Sequence, residues 1–185
     1  MNKTRCAWCE KDELYKKYHD EEWGIPVYDD TKLFEFLILE TFQAGLSWYT
    51  ILAKRENFKK AFANFDYKKV AKFNEEKIQE LLQDAGIIRN QLKIRAAVTN
   101  AVAFMEVQKE FGSFSNYIWK FVDGKPIINK PKTLKDVPAS TPLSDAISKD
   151  LKKRGFKFVG TTVVYAHMQA TGMVNDHIED CWTVK

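Results

Sequence analysis

Apolar residues recur at three- and four-residue spacing through most of this chain, the mark of helices that bury one face. The segment DDTKLFEFLILETFQAG opens with Asp29 and Asp30 as cap candidates and closes on Gly45. LSWYTILAKRENFKKAFANF follows, with Ser47 placed as an N-cap. NEEKIQELLQDAG runs from Asn74 to Gly86, and NQLKIRAAVTNAVAFMEVQKEFG, the longest helical run, ends at Gly112. FSNYIWKFV predicts a short apolar helix, and SDAISKDLKKRG and GTTVVYAHMQATG predict two more, each bounded by glycine.

Strand-like alternation is scarce. The one long irregular stretch, DGKPIINKPKTLKDVPASTPL, holds four of the five prolines, which predicts a loop crossing between lobes. No internal repeat or low-complexity tract interrupts the pattern. The expected fold is all-α, and 185 residues suit one compact unit over 1–185.

Composition narrows the class. Hydrophobic residues make up 45% and charged residues 29%, enough for a real core on a soluble chain. The apolar runs fall far short of a membrane span, so no membrane partner is expected. The N-terminus has no basic region followed by an apolar run, so no signal peptide is read there and a cytoplasmic location is the default. A net charge of +4 suits a polyanionic partner without demanding one.

The soft metal ligands sit at the two ends. Three cysteines, an odd number, argue against a disulfide framework. His177 and Cys181 are four apart in HIEDC, a spacing that on a helix puts both on one face. Cys6, Cys9 and His19 stand at the other end. Two ligands from each terminus would make a closed tetrahedral Cys2His2 site for zinc. Closing so long a loop costs roughly 4–5 kcal/mol of chain entropy, against about 10–16 kcal/mol for zinc binding in small domains. Spacing alone leaves Cys6 and Cys9 in competition, because CAWC is itself a Cys-x2-Cys. His167, mid-helix in YAHMQA, reads as a satisfied histidine rather than a ligand.

EEKIQELLQDAGIIRNQLKIRAAV reads as helix, glycine turn, helix, with the turn DAGII followed by Arg89, Lys93 and Arg95. Such a hairpin can aim backbone N–H groups and basic side chains at a phosphate; a plain hairpin with a glycine C-cap is the alternative. Lys152, Lys153, Arg154 and Lys157 form a second basic cluster, a set that by itself also suits a solvated helix end.

Glu40 stands out within FLILETFQAG, flanked by residues that should face a core. A carboxylate there needs a partner or a purpose. Trp8, Tyr15, Tyr18, Trp23 and Trp48 crowd the same half of the chain. Stacked rings plus one acid suit a flat, cationic, hydrogen-bond-donating ligand; an aromatic core with Glu40 reaching water is the competing account.

Taken together, these residues resemble the 3-methyladenine DNA glycosylase I family, often called Tag, within the helix-hairpin-helix glycosylase superfamily. The stretches that carry the resemblance are RCAWC with YHDEEWGIP, LFEFLILETFQAGLSWYTILAKRENF, QDAGIIRNQLKI, SDAISKDLKKRGFKFVGTT and MQATGMVNDHIEDC. They run nearly end to end. The resemblance implies a structural zinc, one per chain, on Cys6, His19, His177 and Cys181, clipping residues 6–19 to 177–181, with Cys9 a bystander. It implies a base pocket on Glu40, Tyr18 and Trp48, with Trp8, Trp23 and Tyr15 as walls. Gly45 and Leu46 fall at the wedge that fills the gap left by an extruded base. Gly86, Arg89, Lys93 and Lys153 fall on the DNA-holding surface, with the hairpin spanning about 75–110.

The implied activity is excision of cationic 3-methyladenine from double-stranded DNA by a monomer, with free 3-methyladenine as product and Glu40 as the catalytic-site acid. The wider superfamily carries a catalytic aspartate downstream of the hairpin, yet no aspartate occurs between Asp84 and Asp123 here. No Schiff-base lysine matches either. The expected reaction is therefore monofunctional hydrolysis with no strand cleavage. The competing reading is a non-catalytic binding module for alkylated DNA, and a shifted base preference, for instance toward 3-methylguanine, is a third.

Overall fold

The computed structural model describes residues 4–184; Met1–Lys3 and Lys185 of the expected unit lie outside the described residues. Among the described residues, ten α-helices follow in chain order: α1 (Glu13–Glu21), α2 (Asp30–Gln43), α3 (Trp48–Ala53), α4 (Arg55–Ala61), α5 (Tyr67–Val70), α6 (Glu75–Gln83), α7 (Gln91–Phe111), α8 (Phe114–Trp119), α9 (Pro142–Lys153) and α10 (Thr161–Ala170). The caps read from the sequence form. Asp29, Ser47 and Asn74 each accept a backbone N–H of the first turn of their helix. Asp30 does more: it accepts from Gln108 Nε2 and from the backbone N–H groups of Phe114 and Ser115, tying α2 to α7 and α8.

Helix α2 is the axis of the molecule. Leu33 through Phe42 are all buried, and α3, α7, α8 and α10 pack around them. A helical stretch with no solvated face reads as a continuous apolar run, which is why periodicity is weak over Leu33–Phe42 and the two acids within it are conspicuous. The main core extends from Leu33 to Val174 and unites residues of α2, α7, α8, α9 and α10.

Several sequence expectations are corrected. LSWYTILAKRENFKKAFANF is two helices, broken at Lys54 (φ −97°, ψ 1°). The break lets α3 carry Trp48 toward one side of α2 while Arg55 of α4 reaches Glu22 and Glu35. Helix α1 shows only a sparse apolar pattern because Tyr18 and His19 alone are buried on it. The proline-rich stretch is not wholly irregular. Its Ile127–Ile128 (β1) pairs in parallel with Val174–Asn175 (β2), Ile127 opposite Val174. His177 and Cys181 lie after β2 in turns rather than on a helix.

The N-terminal segment is strapped to the end of α10. Gly24 N–H donates to Gln169 O and Val27 N–H to Thr171 O. Gly172 sits at the crossing with φ +67°, and a Cβ there would lie 2.2 Å from the Ile25 carbonyl carbon. Backbone, not a flexible side chain, occupies that space. Gly172→Ala is therefore expected to destabilise the fold by roughly 3 kcal/mol or more, read as a fall in the urea or thermal midpoint. An unchanged midpoint would show that the crossing is slack.

Candidate functional site

Two acids sit five residues apart on α2 and meet opposite fates. Glu35 accepts from Arg55 Nε at 2.7 Å and pairs with Lys32 at 3.0 Å. Arg55 in turn holds Glu22 through both terminal nitrogens. Glu40 has no cation and is 3% exposed. Among the described residues, only two buried polar side-chain atoms lack a partner: Glu40 Oε2 and Trp48 Nε1. Both line the same cavity.

That cavity measures about 200 Å³ and is walled by Trp8, Tyr15, Tyr18, Trp23, Glu40, Gln43, Trp48, Ala166 and Gln169. The rings brace one another. Trp8 meets Tyr15 and Trp23 edge-on at 5.2 and 5.1 Å, and Tyr18 lies 5.4 Å from Trp48. Burial raises the Glu40 carboxyl to about 8 and holds the Tyr18 phenol well above its ordinary value. An uncompensated acid in an aromatic cavity is a site waiting for a donor or a cation. The volume is below that of a drug-sized pocket and suits one small flat ring system. A larger cavity, about 520 Å³, opens behind Tyr18. Its Glu22, Glu35, Lys32 and Arg55 are already paired with one another, so it leaves no comparable demand.

All six residues read from the sequence as base-contacting are therefore in one cavity. Gln43, Ala166 and Gln169 were not legible as members. The last two lie three apart on α10, a helix whose sequence signals only apolar burial. A glutamine beside the buried Met168 and Ala170 was the available cue.

The terminal ligands also converge. One donor atom from each of Cys6, His19, His177 and Cys181 lies within 4.8 Å of the others, and all four residues are buried. His19 Nδ1 meets Asp20 Oδ1 at 2.8 Å, and His177 Nε2 meets the Trp23 carbonyl at 3.0 Å. A carbonyl only accepts, so His177 Nε2 carries the hydrogen and Nδ1 presents its lone pair. Asp20 fixes His19 in the same manner, with Nε2 inward; that carboxyl, despite burial, is held well below its usual range by Arg5, His19 and Trp182. The two inward nitrogens stand 3.2 Å apart, with Cys181 Sγ at 3.5 and 3.6 Å and Cys6 Sγ at 3.8 Å from His177. The Thr183 hydroxyl lies 2.8 Å from His177 Nδ1. Acceptors facing each other at ligand–ligand spacing fit a tetrahedral metal ion. Burial lowers His177 to about 4, keeping it in the neutral, ligating form, and raises the Cys6 thiol to about 12; an ion would have to draw off the thiol proton. Cys9 stays outside, its thiol donating to Cys6 O.

The surface residues divide. Leu46 is exposed at the turn after α2, where Gly45 takes φ +83°. Arg89 and Lys153 are exposed, and Gly86 is partly so. Lys93, expected beside a phosphate, is instead buried. Its ammonium donates to Phe42 O at 2.9 Å and Ala44 O at 2.6 Å, closing the open carbonyls at the end of α2. Arg95 bridges to Glu75 across the hairpin, and Arg154 is engaged by Asp150 and Glu110. Gly86 lies beyond the α6 cap, which is Asp84, so it is not a helix C-cap glycine. His167 is a satisfied core histidine, against Leu33 O.

A model of the methyladenine glycosylase family matches residues 8–184. The chain belongs to the methyladenine glycosylase family. It is 51% identical to DNA-3-methyladenine glycosylase 1 of Escherichia coli strain K12, covering 96% of this chain and 95% of the relative. It is 49% identical to the DNA-3-methyladenine glycosylase of Haemophilus influenzae, over 96% of each. Among solved structures, a substituted 3-methyladenine DNA glycosylase I in complex with 3-methyladenine superposes with a TM-score of 0.95 at 36% identity, over 98% of this chain and 97% of the other.

For this methyladenine glycosylase family member, the Glu40 carboxyl links stability to pH. Its folded-state pKa is raised, from 4.5 to about 8. Its contribution is thus fully present below the unfolded value and lost as pH rises through the folded one. Glu40→Gln, which cannot ionise, should become progressively more stable than wild type from about pH 4.5 to about pH 8 and hold a constant lead above that. The slope is at most about 1.4 kcal/mol per pH unit. Thermal midpoints of both proteins across this range check it; a pH-independent difference would mean that Glu40 is paired and ionised throughout.

Proposed function

We propose that this protein excises cationic 3-methyladenine from alkylated double-stranded DNA by monofunctional hydrolysis of the N-glycosidic bond, leaving an abasic site. The observation that carries the reading is the coincidence of the two partnerless polar atoms, Glu40 Oε2 and Trp48 Nε1, in one aromatic cavity.

Methylation at N3 gives the base a positive charge that normal adenine in DNA lacks. Over an aromatic face such a cation gains roughly 0.5–2 kcal/mol, and a charge-assisted hydrogen bond to a carboxylate adds on the order of 1.5–3 kcal/mol. Burial favours the neutral form of Glu40, and a cation beside it favours the ionised form. When water attacks C1′, a C1′–O bond forms, the electron pair of the C1′–N9 bond leaves with the base and cancels its charge, and the proton lost by the water passes to solvent. The departing base is a good leaving group for that reason, which is consistent with the lack of an aspartate between Asp84 and Asp123. Glu40 acts by recognition and electrostatics. Leu46 fills the vacated place in the stack. Gly86 and Arg89 at the hairpin and Lys153 at the end of α9 hold phosphates without reading sequence. The Lys153 region is docked on α7 through paired bonds between Asn100 and the Lys157 backbone, which sets it at a fixed distance from the hairpin of the helix-hairpin-helix type. Lys93 leaves this set and supports the Leu46 turn from inside.

The metal cluster is assigned to one structural zinc per chain, on Cys6, His19, His177 and Cys181. Zinc there supplies a tether between the termini and no chemistry at the base. Protein prepared without chelators should contain one equivalent of zinc by elemental analysis. Cys181→Ser should lose metal and thermal stability together, whereas Cys9→Ser should keep the metal. Loss on Cys9→Ser alone would reassign the ligand.

Glu40→Gln keeps the size and one acceptor oxygen but removes the charge. It should slow release of 3-methyladenine and weaken binding of the free base by tenfold or more, about 1.4 kcal/mol, with little change in binding to undamaged DNA. Trp48→Ala should follow the same pattern through lost stacking. Single-turnover excision, free-base titration and DNA binding, each on folded protein, make the test. Wild-type excision and free-base affinity in Glu40→Gln would displace the pocket.

A further inference from the structure

Asp176 is 1% exposed and belongs to neither the metal cluster nor the cavity wall. Three neutral donors converge on it. Tyr165 Oη donates to Oδ2 at 2.6 Å, Gln169 Nε2 to Oδ2 at 2.8 Å, and Asn129 Nδ2 to Oδ1 at 2.7 Å. The donors come from α10 and from the residue that follows β1, so Asp176 joins two segments far apart in sequence. Both oxygens serve as acceptors.

This geometry settles the orientation of one amide. Oxygen and nitrogen of a glutamine are distinguished by their hydrogen-bond partners, and a side chain facing an acceptor must turn its nitrogen there. Gln169 therefore gives its NH2 to Asp176 and turns Oε1 away. Among the described residues, nothing donates to Gln169 Oε1, and the side chain lines the aromatic cavity. Gln169 Oε1 is thus an acceptor left over on a side chain that lines the cavity, brought there by α10.

We propose that Gln169 is a specificity-determining residue that accepts a hydrogen bond from the exocyclic amino group of a 6-aminopurine, and that Asp176 is the positioning residue that keeps its amide from reversing. The amino group of adenine carries two N–H donors, and a purine with an oxo group at that position would meet oxygen with oxygen. The inference rests on the reading of the cavity as the base pocket.

The test compares the affinity of the free protein for 3-methyladenine and for 3-methylhypoxanthine, which replaces the 6-amino group by an oxo group. Quenching of tryptophan fluorescence provides the readout. Wild type should favour the amino base. Gln169→Leu should lower affinity for 3-methyladenine by roughly three- to tenfold while leaving that for 3-methylhypoxanthine unchanged or improved. Asp176→Asn offers a donor to Gln169 Oε1 and permits the amide to turn, so it should shift the ratio in the same direction with zinc content and thermal midpoint monitored alongside. A purely structural role would lower both affinities together. Equal loss for both bases in Gln169→Leu, or none, overturns the proposal while the pocket reading stands. Failure of wild type to bind either base would remove the pocket reading and this inference with it. Should Asp176→Asn not fold, the Gln169→Leu ratio alone decides.

Discussion

The unpaired carboxyl of Glu40 is the constraint on which the rest of this structure turns. Burying it without a cation costs the folded state more the higher the pH, and evident partners were close at hand: Arg55 and Lys32 lie on the same helix or pack against it. They are instead spent on Glu35 and Glu22. The surrounding rings enclose the acid without neutralising it, so the demand is met only by what enters the cavity. The unbroken burial of Leu33 through Phe42 is what makes this possible, since α2 leaves Glu40 no route to water along its own surface.

The two ends of the chain are recruited to the same purpose. Trp8 and Trp23, both walls of the cavity, pack on the imidazoles of the Cys/His cluster: Trp8 on His19 at 5.4 Å, Trp23 on His177 at 4.6 Å. The Trp23 carbonyl takes the outward N–H of His177. The Cys/His cluster and the cavity wall are therefore in direct contact. The same contacts that orient the inward nitrogens of His19 and His177 hold two aromatic walls in place. The Gly172 crossing completes the strap, laying residues 24–27 on the end of α10, where Gln169 enters the cavity.

The opposite rim is built by a different device. Lys93 closes the carbonyl end of α2 from inside, and the Gly45–Leu46 turn projects from that anchored point. Lys54 reaches the carbonyls of Ala85 and Gly86, so α3 and the hairpin turn are joined. One lysine thus braces the turn after α2 and the other the hairpin turn, each through backbone carbonyls rather than through an ion pair.

Much of this was determined by the sequence alone. Caps at Asp29, Ser47 and Asn74, the apolar run of α2, the acid stranded in it and the Cys and His residues at both ends are local features, visible because each breaks or obeys a short-range rule. What only the tertiary structure decided is which polar group meets which. Glu35 and Glu40 are alike in their surroundings along the chain, and the position of Arg55 across a break at Lys54 separates them. Lys93 and Arg89 are alike as basic residues of one hairpin, and the open end of α2 claims the first. His177 and Cys181 suggest a helix by spacing, yet turns bring them together. Gln169 gives no sign of its orientation until Asp176 faces it. Burial pattern is written at spacings of three and four residues, whereas the pairing of a buried charge or amide depends on a partner brought from a distant element by the folded chain.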